Sequence, residues 1–223
     1  MSELNNNKNS ASFGFKKVTE TEKVSLVDNV FTSVTKNYDL MNDLMSFGLH
    51  RSWKSYFLLC SQIKKGDKVL DLAAGTGDIT RLISKTVGDS GQVVSCDINY
   101  SMLSQGRDNL IDKGVLDNVL YVQSDAQSLS FEENSFNHVT MAFGLRNTAN
   151  ISKALKSIYR SLKPGGSLQV LEFSKAEKII EKPYNLFLNN FIPFLGKHVA
   201  RDEDSYKYLA ESIKMHPSQI ELM

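Results

Sequence analysis

The sequence predicts an α/β protein with a doubly wound, mostly parallel sheet. Between positions 68 and 173, short apolar runs alternate with amphipathic segments of helical periodicity, the order of parallel strands joined by helical crossovers. The apolar runs are nearly continuous, which indicates strands covered on both faces. With 223 residues, 41% of them hydrophobic, the chain is long enough for the core of one such domain and not of two.

The elements follow in a regular order along the chain. Residues 1–20 are polar and without periodicity, which predicts a disordered arm. Residues 21–223 are expected to form a single domain, in which 21–65 are a helical cap with apolar residues at helical spacing. The rest divides into a core, 66–174, and a second helical segment, 175–223. Within the core the predicted strands are 69–74, 93–98, 119–123, 138–143 and 167–173, and the predicted helices are 79–87, 102–110 and 151–162.

The composition limits the class of partner. Lys and Arg number 26 against 25 for Asp and Glu, so the net charge of +1 gives no electrostatic reason to bind nucleic acid. No stretch approaches the ~20 apolar residues of a membrane span, and the first residues lack the apolar core of a signal peptide. Cys60 and Cys96 lack the spacing of a metal site or a disulfide framework, so we expect buried thiols, no metal and a cytoplasmic location.

A glycine-containing loop follows the first predicted strand and leads into a helix. It runs from Asp71 to Asp78, and the backbone amides of Gly75, Thr76 and Gly77 can approach a ligand without interference from Cβ atoms. Asp97 ends the next strand, 20 residues after Gly77. A carboxylate at this distance is typical of acids that accept hydrogen bonds from both hydroxyls of a ribose. The loop and Asp97 therefore predict a nucleoside site.

The third position of the glycine pattern separates two kinds of nucleoside ligand. In dinucleotide-binding loops it is a glycine, which lets the helix pack closely beneath a pyrophosphate. Here the position is Thr80, which argues against NAD.

The loop at Asp71 resembles the first motif of the class I S-adenosylmethionine (SAM)-dependent methyltransferases, which have a Rossmann-like fold and a ligand without phosphate. The resemblance implies SAM as the cofactor, held by Asp71, the glycine loop and Asp97. It further implies that Asp125 faces the adenine amino group and that Ala126 supplies backbone contacts. The alternative for Asp125 is an acid that caps the next turn. Ala142 stands where many members carry a serine near the cofactor, so one hydrogen bond, of about 1 kcal/mol, is expected to be missing.

Longer motifs narrow the resemblance to the ubiquinone and menaquinone biosynthesis C-methyltransferases. The chain is similar to that family at residues 38–53, 143–147, 160–174 and 204–213. The resemblance implies methylation of a ring carbon of a polyprenylated benzoquinol, of a demethylmenaquinol, or of both. Because such quinols partition into bilayers, it also implies transient contact with a membrane surface, peripheral to the inner membrane.

The family resemblance also bears on the end of the sheet. Members continue beyond the position of Met223 with a segment that forms an antiparallel hairpin, so we expect this hairpin to be missing. Strand 168–173 then becomes an exposed edge, which favours pairing with another chain and predicts a homodimer.

The catalytic candidates come from the loop after the fourth core strand and from the cap. Arg146 can stabilise developing phenolate charge while Asn147 orients a hydroxyl. The alternative for Arg146 is a structural pairing with Asp39 or Asp43 that closes the cap. Deprotonation of the quinol needs a base, for which His50 and Asp39 are the candidates. A base role for Arg146 is excluded by its pKa above about 12.

Two further alternatives accompany this interpretation. A chain without the hairpin can be a catalytically impaired SAM-fold scaffold subunit, or the acceptor can be another small aromatic molecule. Phe187, Phe191 and Phe194 share a helical face, which indicates either ordinary core packing or a wall for a prenyl tail.

Overall fold

The structure is a computed structural model that describes residues 10–115, 117–174 and 176–222. The chain forms two compact units: one combines the chain up to Met45 with the chain from Phe173 onward, and the other runs from Ser46 to Glu172. The single domain expected from the sequence stays a prediction. In chain order the strands and α-helices are β1 (Ser10–Phe13), β2 (Lys16–Thr19), α1 (Glu20–Val34), α2 (Tyr38–Ser46), α3 (Leu49–Leu59), β3 (Lys68–Leu72), α4 (Asp78–Val87), β4 (Gln92–Asp97), α5 (Tyr100–Asp112), β5 (Val119–Gln123), β6 (Phe136–Ala142), α6 (Ile151–Ser161), β7 (Leu162–Leu171), α7 (Glu181–Leu186), α8 (Ile192–Leu195), α9 (Glu203–Met215) and α10 (Gln219–Leu222).

Residues 10–19 form a hairpin that the sequence did not predict. β1 pairs antiparallel with β2, and the ring of Phe13 stacks on Tyr208 with centroids 4.0 Å apart. The backbone N–H of Phe15 donates a hydrogen bond to the carboxylate of Glu211. A two-stranded hairpin is marginal alone, so these contacts with α9 supply the order that a polar composition lacks. The expected disordered arm is therefore wrong for residues 10–19, and residues 1–9 lie outside the described chain.

The same unit has its own apolar core, formed by the helices near both ends of the chain. Its buried members are Val34, Met41, Leu188, Ile192, Tyr206, Ala210 and Ile213. The predicted phenylalanine stripe contributes only partly, since Phe187 and Phe191 stack at 5.2 Å while Phe194 is exposed and lies against His198. Phe187–Phe191 is a π-helical turn, whose wider spacing breaks the helical period on which the stripe was predicted.

The unit from Ser46 to Glu172 is built on the predicted parallel sheet. Its five strands lie in the order β5-β4-β3-β6-β7, and all four neighbouring pairs are parallel. The strand order changes direction between the adjacent strands β3 and β6, and open α/β sheets bind ligands outside the carboxyl ends of the strands at such a switch point. The predicted fold class and all five core strands are thus confirmed.

The last strand begins earlier than predicted. Leu162 already pairs with Phe136, and the register then jumps so that Ser167 pairs with His138. The intervening Lys-Pro-Gly-Gly residues form a bulge within β7 rather than a separate turn, because Pro164 and Gly165 tolerate the irregular backbone without breaking the pairing on either side.

The apolar core of this unit includes Val69, Ile83, Val93 and Leu110. Cys96 in β4 is buried, and burial raises the pKa of its thiol to about 12. Cys60, by contrast, is exposed at the end of α3, so the prediction of two buried thiols is wrong for this residue. The physical reason is the orientation of α3, which turns part of its apolar side outward.

Candidate cofactor site

The glycine loop leaves β3 through a tight left-handed turn. Ala73, Gly75 and Gly77 have φ values of 52°, 54° and 86°. Ala74 donates its N–H to the Cys96 carbonyl at 3.1 Å, and Gly77 donates to the Ala74 carbonyl at 3.0 Å. A left-handed alanine is uncommon, and such strained residues concentrate at ligand sites. The loop is therefore held in a defined shape at the carboxyl edge of the sheet.

Two glycines of the loop region pack where a side chain would not fit. A Cβ added to Gly77 would lie 2.7 Å from Leu110 Cδ1, and one added to Gly106 would lie 2.5 Å from the Gly75 carbonyl oxygen. Gly106 lies in the middle of α5, so this helix touches the back of the loop directly. Sequence reasoning missed Gly106, although a glycine inside a helix costs about 1 kcal/mol relative to alanine and thereby signals a packing role.

Asp97 connects the loop to the end of β4. One carboxylate oxygen accepts the N–H of Gly75 at 2.8 Å, and the other accepts the N–H of Asn99 at 2.9 Å. Each oxygen of an ionised carboxylate has a second lone pair, so the same group can still accept hydrogen bonds from a diol. The structure thus brings together the glycine loop and the acid that the sequence paired as a ribose site.

Asp71 lies beneath the loop. Its side chain is buried, with a relative exposure of 1% for the residue. The two carboxylate oxygens accept hydrogen bonds from the hydroxyls of Thr80, at 2.6 Å, and Thr140, at 2.8 Å. Burial raises the pKa of Asp71 to about 6, although both threonine hydrogen bonds lower it. Thr80, which argued against a dinucleotide, therefore has a function of its own that glycine would not fulfil.

The first turn of α4 carries a negative charge. Asp78 accepts a hydrogen bond from the ammonium group of Lys54 at 2.8 Å. Burial raises the pKa of Asp78, but Lys54 outweighs that effect and the pKa lies below its ordinary value. Asp78 is therefore ionised, with its charge balanced by the adjacent Lys54, and this ion pair joins the first turn of α4 to α3.

The third part of the site is the turn after β5. Ser124 donates its N–H to the Asp97 carbonyl at 3.2 Å, which places this turn beside the end of β4. Asp125 caps the 3₁₀ turn Ala126–Ser128 by accepting the N–H of Gln127 at 2.9 Å, and the amide side chain of Gln127 donates to it as well. The capping geometry considered for Asp125 is present, and Ala126 is half-buried at the start of the turn.

The loop after β6 contains a buried ion pair. Ala142 ends the strand, and Phe143 follows in the left-handed region with φ 58°. The guanidinium of Arg146 donates to Glu172 at 2.7 Å and also to the Phe143 carbonyl, to which the Asn147 amide donates at 3.3 Å. Sequence analysis gave Glu172 no role, although it lies within the motif at 160–174. Its position at the carboxyl end of β7, one strand from Arg146, was the available signal.

The two candidate bases lie in different units. Asp39 is exposed at the start of α2, in the unit that contains both ends of the chain. His50 is buried in α3, and its backbone N–H donates to the Ser46 hydroxyl at 3.3 Å.

Within residues 10–115, 117–174 and 176–222, no group of three or more His, Cys, Asp and Glu side chains could hold a metal ion. In the same part of the chain, no helix combines the length and the apolar character needed to cross a bilayer.

The sequence as a whole places the protein in a family. A family model described as the ubiE/COQ5 methyltransferase family matches residues 16–223. The chain belongs to this family. It is 55% identical over 208 residues to the ubiquinone/menaquinone biosynthesis C-methyltransferase UbiE of Pseudoalteromonas translucida (strain TAC 125), covering 93% of this chain and 83% of the relative. To the UbiE protein of Haemophilus ducreyi (strain 35000HP / ATCC 700724) it is 56% identical over 211 residues, covering 94% and 82%.

Solved structures share the fold at lower identity. A SAM-dependent methyltransferase from Aquifex aeolicus has a TM-score of 0.55 and 25% identity, covering 66% of this chain and 74% of that one. The [4+2]-cyclase SpnF has a TM-score of 0.53 and 24% identity, covering 57% and 46%. This second likeness concerns the fold alone, and it illustrates that the fold does not by itself determine the reaction.

Proposed function

We propose that this ubiE/COQ5 family protein is a SAM-dependent C-methyltransferase of ubiquinone and menaquinone biosynthesis. Its acceptor is a ring carbon of a polyprenylated benzoquinol, of a demethylmenaquinol, or of both. The observation that carries the proposal is the identity of 55% or more to UbiE C-methyltransferases over more than nine-tenths of the chain. Neither a scaffold role nor an unrelated acceptor has a comparable observation in its favour.

The residues present fit SAM as the cofactor. The main chain of Gly75, Thr76 and Gly77 is held at the carboxyl edge of the sheet by left-handed turns at both glycines, and Asp97 beside it is placed to accept the ribose hydroxyls. Asp125 and Ala126 are assigned to the adenine. SAM supplies a methyl group already activated for transfer by the positive charge of its sulfonium.

Two more predicted cofactor residues receive adjusted roles. Asp71 lies below the loop and accepts hydrogen bonds from Thr80 and Thr140. We therefore propose that it positions the loop and does not contact SAM directly. Ala142 ends β6 with no polar side-chain atom to offer, so its contribution is limited to its backbone and methyl group.

The acceptor side of the reaction needs a deprotonated quinol held in line. A ring carbon becomes a stronger nucleophile as the neighbouring hydroxyl loses its proton to a base, for which His50 and Asp39 remain the proposed groups. Glu172 neutralises Arg146 and both are buried, so we propose that Arg146 acts with Asn147 mainly by fixing the Phe143 carbonyl and the loop that carries it. Charge stabilisation of a phenolate by Arg146 is then the smaller contribution.

The experiment that tests the function follows a labelled methyl group. The purified chain is incubated with SAM labelled at the methyl carbon and with short-tailed demethylmenaquinol, demethylated benzoquinol or an unrelated phenol. Label on a ring carbon of either quinol, located by NMR, is the expected result. Label on oxygen, or equal turnover of the unrelated phenol, would refute the proposed acceptor class, and SAM binding without any transfer would support a scaffold role.

The proposal extends to the surroundings of the enzyme. We propose transient contact with the cytoplasmic face of the inner membrane, because a polyprenylated substrate resides in the bilayer. A homodimer is proposed from β7, which in the described part of the sheet is hydrogen-bonded to a neighbour only on the β6 side. Sedimentation at several protein concentrations tests the dimer, and a single monomeric species throughout would contradict it.

A further inference from the structure

Helix α3 presents an apolar face to solvent. Leu49, Trp53 and Tyr56 recur at i, i+4 and i+7 and therefore share one side of the helix. Their exposed fractions are 53%, 39% and 69%, and Leu59 in the last turn is 81% exposed. Phe47, two residues before the first residue of the helix, is 77% exposed. Single exposed apolar residues are ordinary, but a contiguous stripe of this kind marks an interaction surface.

The neighbouring side of α3, about 100° further round the helix, is buried although it is partly polar. The buried residues of the helix are His50, Lys54 and Phe57. The ammonium of Lys54 donates to Asp78 at 2.8 Å, and the Phe57 carbonyl accepts the side-chain amide of Gln169 at 2.8 Å. A surface helix of a globular protein normally buries its apolar stripe and exposes its charges. In α3 a histidine and a lysine point inward while a stripe of aromatic and aliphatic side chains points outward.

The chain segment that carries this face has charged residues of a single sign. From Leu44 to Gly66 the chain has no aspartate or glutamate. Arg51, Lys64 and Lys65 in this stretch are all exposed. Apolar and aromatic side chains bordered by cations complement a bilayer with anionic headgroups, since tryptophan and tyrosine prefer the headgroup level and each basic residue is attracted to the surface.

We propose that the exposed side of α3, formed by Phe47, Leu49, Trp53, Tyr56 and Leu59, docks onto an anionic phospholipid bilayer. The helix has 11 residues, so it lies along the surface rather than spanning the membrane. Its inward Lys54 forms an ion pair with Asp78, the first residue of α4, which ties the docking helix to the proposed cofactor site within the same unit. This inference deepens the proposed function. It rests on that function in one respect, because a substrate that is a membrane lipid gives the protein a reason to bind a bilayer.

The chain provides its own reporter for this surface, because Trp53 is its one tryptophan. The full chain is mixed with phosphatidylcholine vesicles that contain either no phosphatidylglycerol or an equal share of it, and a second set carries brominated acyl chains. We expect a blue shift of Trp53 emission and bromine quenching with the anionic vesicles. Salt at high concentration should weaken the effect, since part of the attraction is between charges.

Two variants locate the contact. Tyr56→Ser with Leu59→Ser should lower the partition coefficient on anionic vesicles about tenfold or more, because it removes two apolar side chains from the face. Tyr159→Ser is the matched control, since Tyr159 is 80% exposed on α6, and should leave the partition coefficient within about twofold. Equal losses in both variants, or co-flotation with anionic vesicles without quenching of Trp53, would overturn the proposal.

The remaining outcomes separate this inference from the proposed function. Methyl transfer to a soluble, tail-less quinol should be unchanged in the Tyr56→Ser, Leu59→Ser variant, because it needs no bilayer. If no quinol is methylated while Trp53 is still quenched, docking stands and the proposed function fails. If the emission of Trp53 shifts with protein concentration in the absence of vesicles, and the double variant sediments more slowly, the face joins two copies of the chain and the docking proposal is wrong.

Discussion

Asp97 carries more of the proposed site than any other single residue. It holds the loop through the N–H of Gly75 and its own backbone turn through the N–H of Asn99. Those bonds hold the carboxylate in one orientation, so that a ribose meets acceptors that are already in place. Pre-organisation of this kind lowers the entropic cost of binding.

Asp97→Ala should therefore weaken SAM binding strongly. Hydrogen bonds to an ionised group contribute about 1.5–3 kcal/mol each, so the loss of two predicts a dissociation constant raised about 10²-fold or more. Isothermal calorimetry measures the change. Asp108→Ala, on the exposed surface of α5 where Asp108 pairs with Arg107, is the control and should bind SAM normally. Unchanged affinity in Asp97→Ala would remove the assignment of the ribose site.

Asp71 makes stability depend on pH in a specific direction. Its pKa is raised from 3.8 to about 6, largely by burial. The folded state then holds the proton more tightly than the unfolded state, so the stability that the proton adds is present below pH ~4 and is lost as the pH rises through ~6. Asp71→Asn has no such proton. Relative to this variant, the wild type should gain about 1 kcal/mol of unfolding free energy between pH 8 and pH 5 in urea titrations. A constant difference between the two proteins would contradict the raised pKa.

At the scale of single elements, helix α5 contacts the backbone of the glycine loop closely. α5 reaches the glycine loop at Gly106, and the Asn109 side chain donates to the Thr76 carbonyl at 3.2 Å. The helix therefore supports the loop from behind, and position 106 is restricted to glycine although helix propensity favours other residues there.

Gly106→Ala tests this support against simple propensity. Alanine favours helix by about 1 kcal/mol over glycine, yet its Cβ would lie 2.5 Å from the Gly75 carbonyl oxygen. We expect the loop to shift and SAM affinity to fall about tenfold or more, because backbone and not a flexible side chain is in the way. Arg107→Ala is the control for the effect of alanine on helix propensity alone, because Arg107 is the next residue in the helix and is exposed. A variant that is more stable and binds SAM as well as the wild type would show that the contact is unimportant.

The ends of β6 and β7 are joined by Arg146 and Glu172. Both side chains are 6% exposed, so removal of one partner leaves a buried charge. Glu172→Leu should lower the free energy of unfolding by about 3–5 kcal/mol, and combining it with Arg146→Leu should restore much of that loss. The double variant should nevertheless turn over slowly, because the Phe143 carbonyl loses its guanidinium donor. Recovery of kcat together with stability would mean that the pair has only a structural role.

At the scale of the molecule, the proposed cofactor site lies within the unit from Ser46 to Glu172. Asp71, Asp97, Asp125 and Arg146 all belong to it, whereas Asp39 belongs to the other unit. The residues proposed to bind SAM therefore all belong to one compact unit of the chain. A cyclase shares this fold at a TM-score of 0.53, so the fold alone does not determine the reaction. The proposed acceptor therefore depends on the family of the chain and not on its sheet.

Binding of SAM should stabilise that unit by mass action. At a concentration 100 times the dissociation constant, a ligand that binds only the folded state adds about 2.7 kcal/mol, which for a chain of this size corresponds to a rise in Tm of roughly 5–10 °C. Hydrogen exchange should slow in the strands β3 to β6 when SAM is added. Asp97→Ala should lose most of both effects at the same SAM concentration, and a shift that survives in the variant would point to binding elsewhere.

Much of this protein was determined by the sequence alone. The five core strands and their crossover helices were predictable because a strand buried on both faces requires a nearly continuous apolar run and a helix requires a 3.6-residue period, so each leaves a local pattern. The glycine loop, Thr80 and Asp97 were predictable for a similar reason, since left-handed turns and carboxylates are restricted to few residue types.

Contacts between residues distant in sequence decided what remained. The hairpin at residues 10–19 depends on Tyr208 and Glu211, almost two hundred positions away, and Gly106 is explained only by the carbonyl that it approaches. Glu172 became the partner of Arg146 because β6 and β7 are adjacent in the sheet, and the apolar face of α3 became visible only once its neighbouring side was found buried. No local pattern encodes these features, because their energies arise from groups that the chain brings together only on folding.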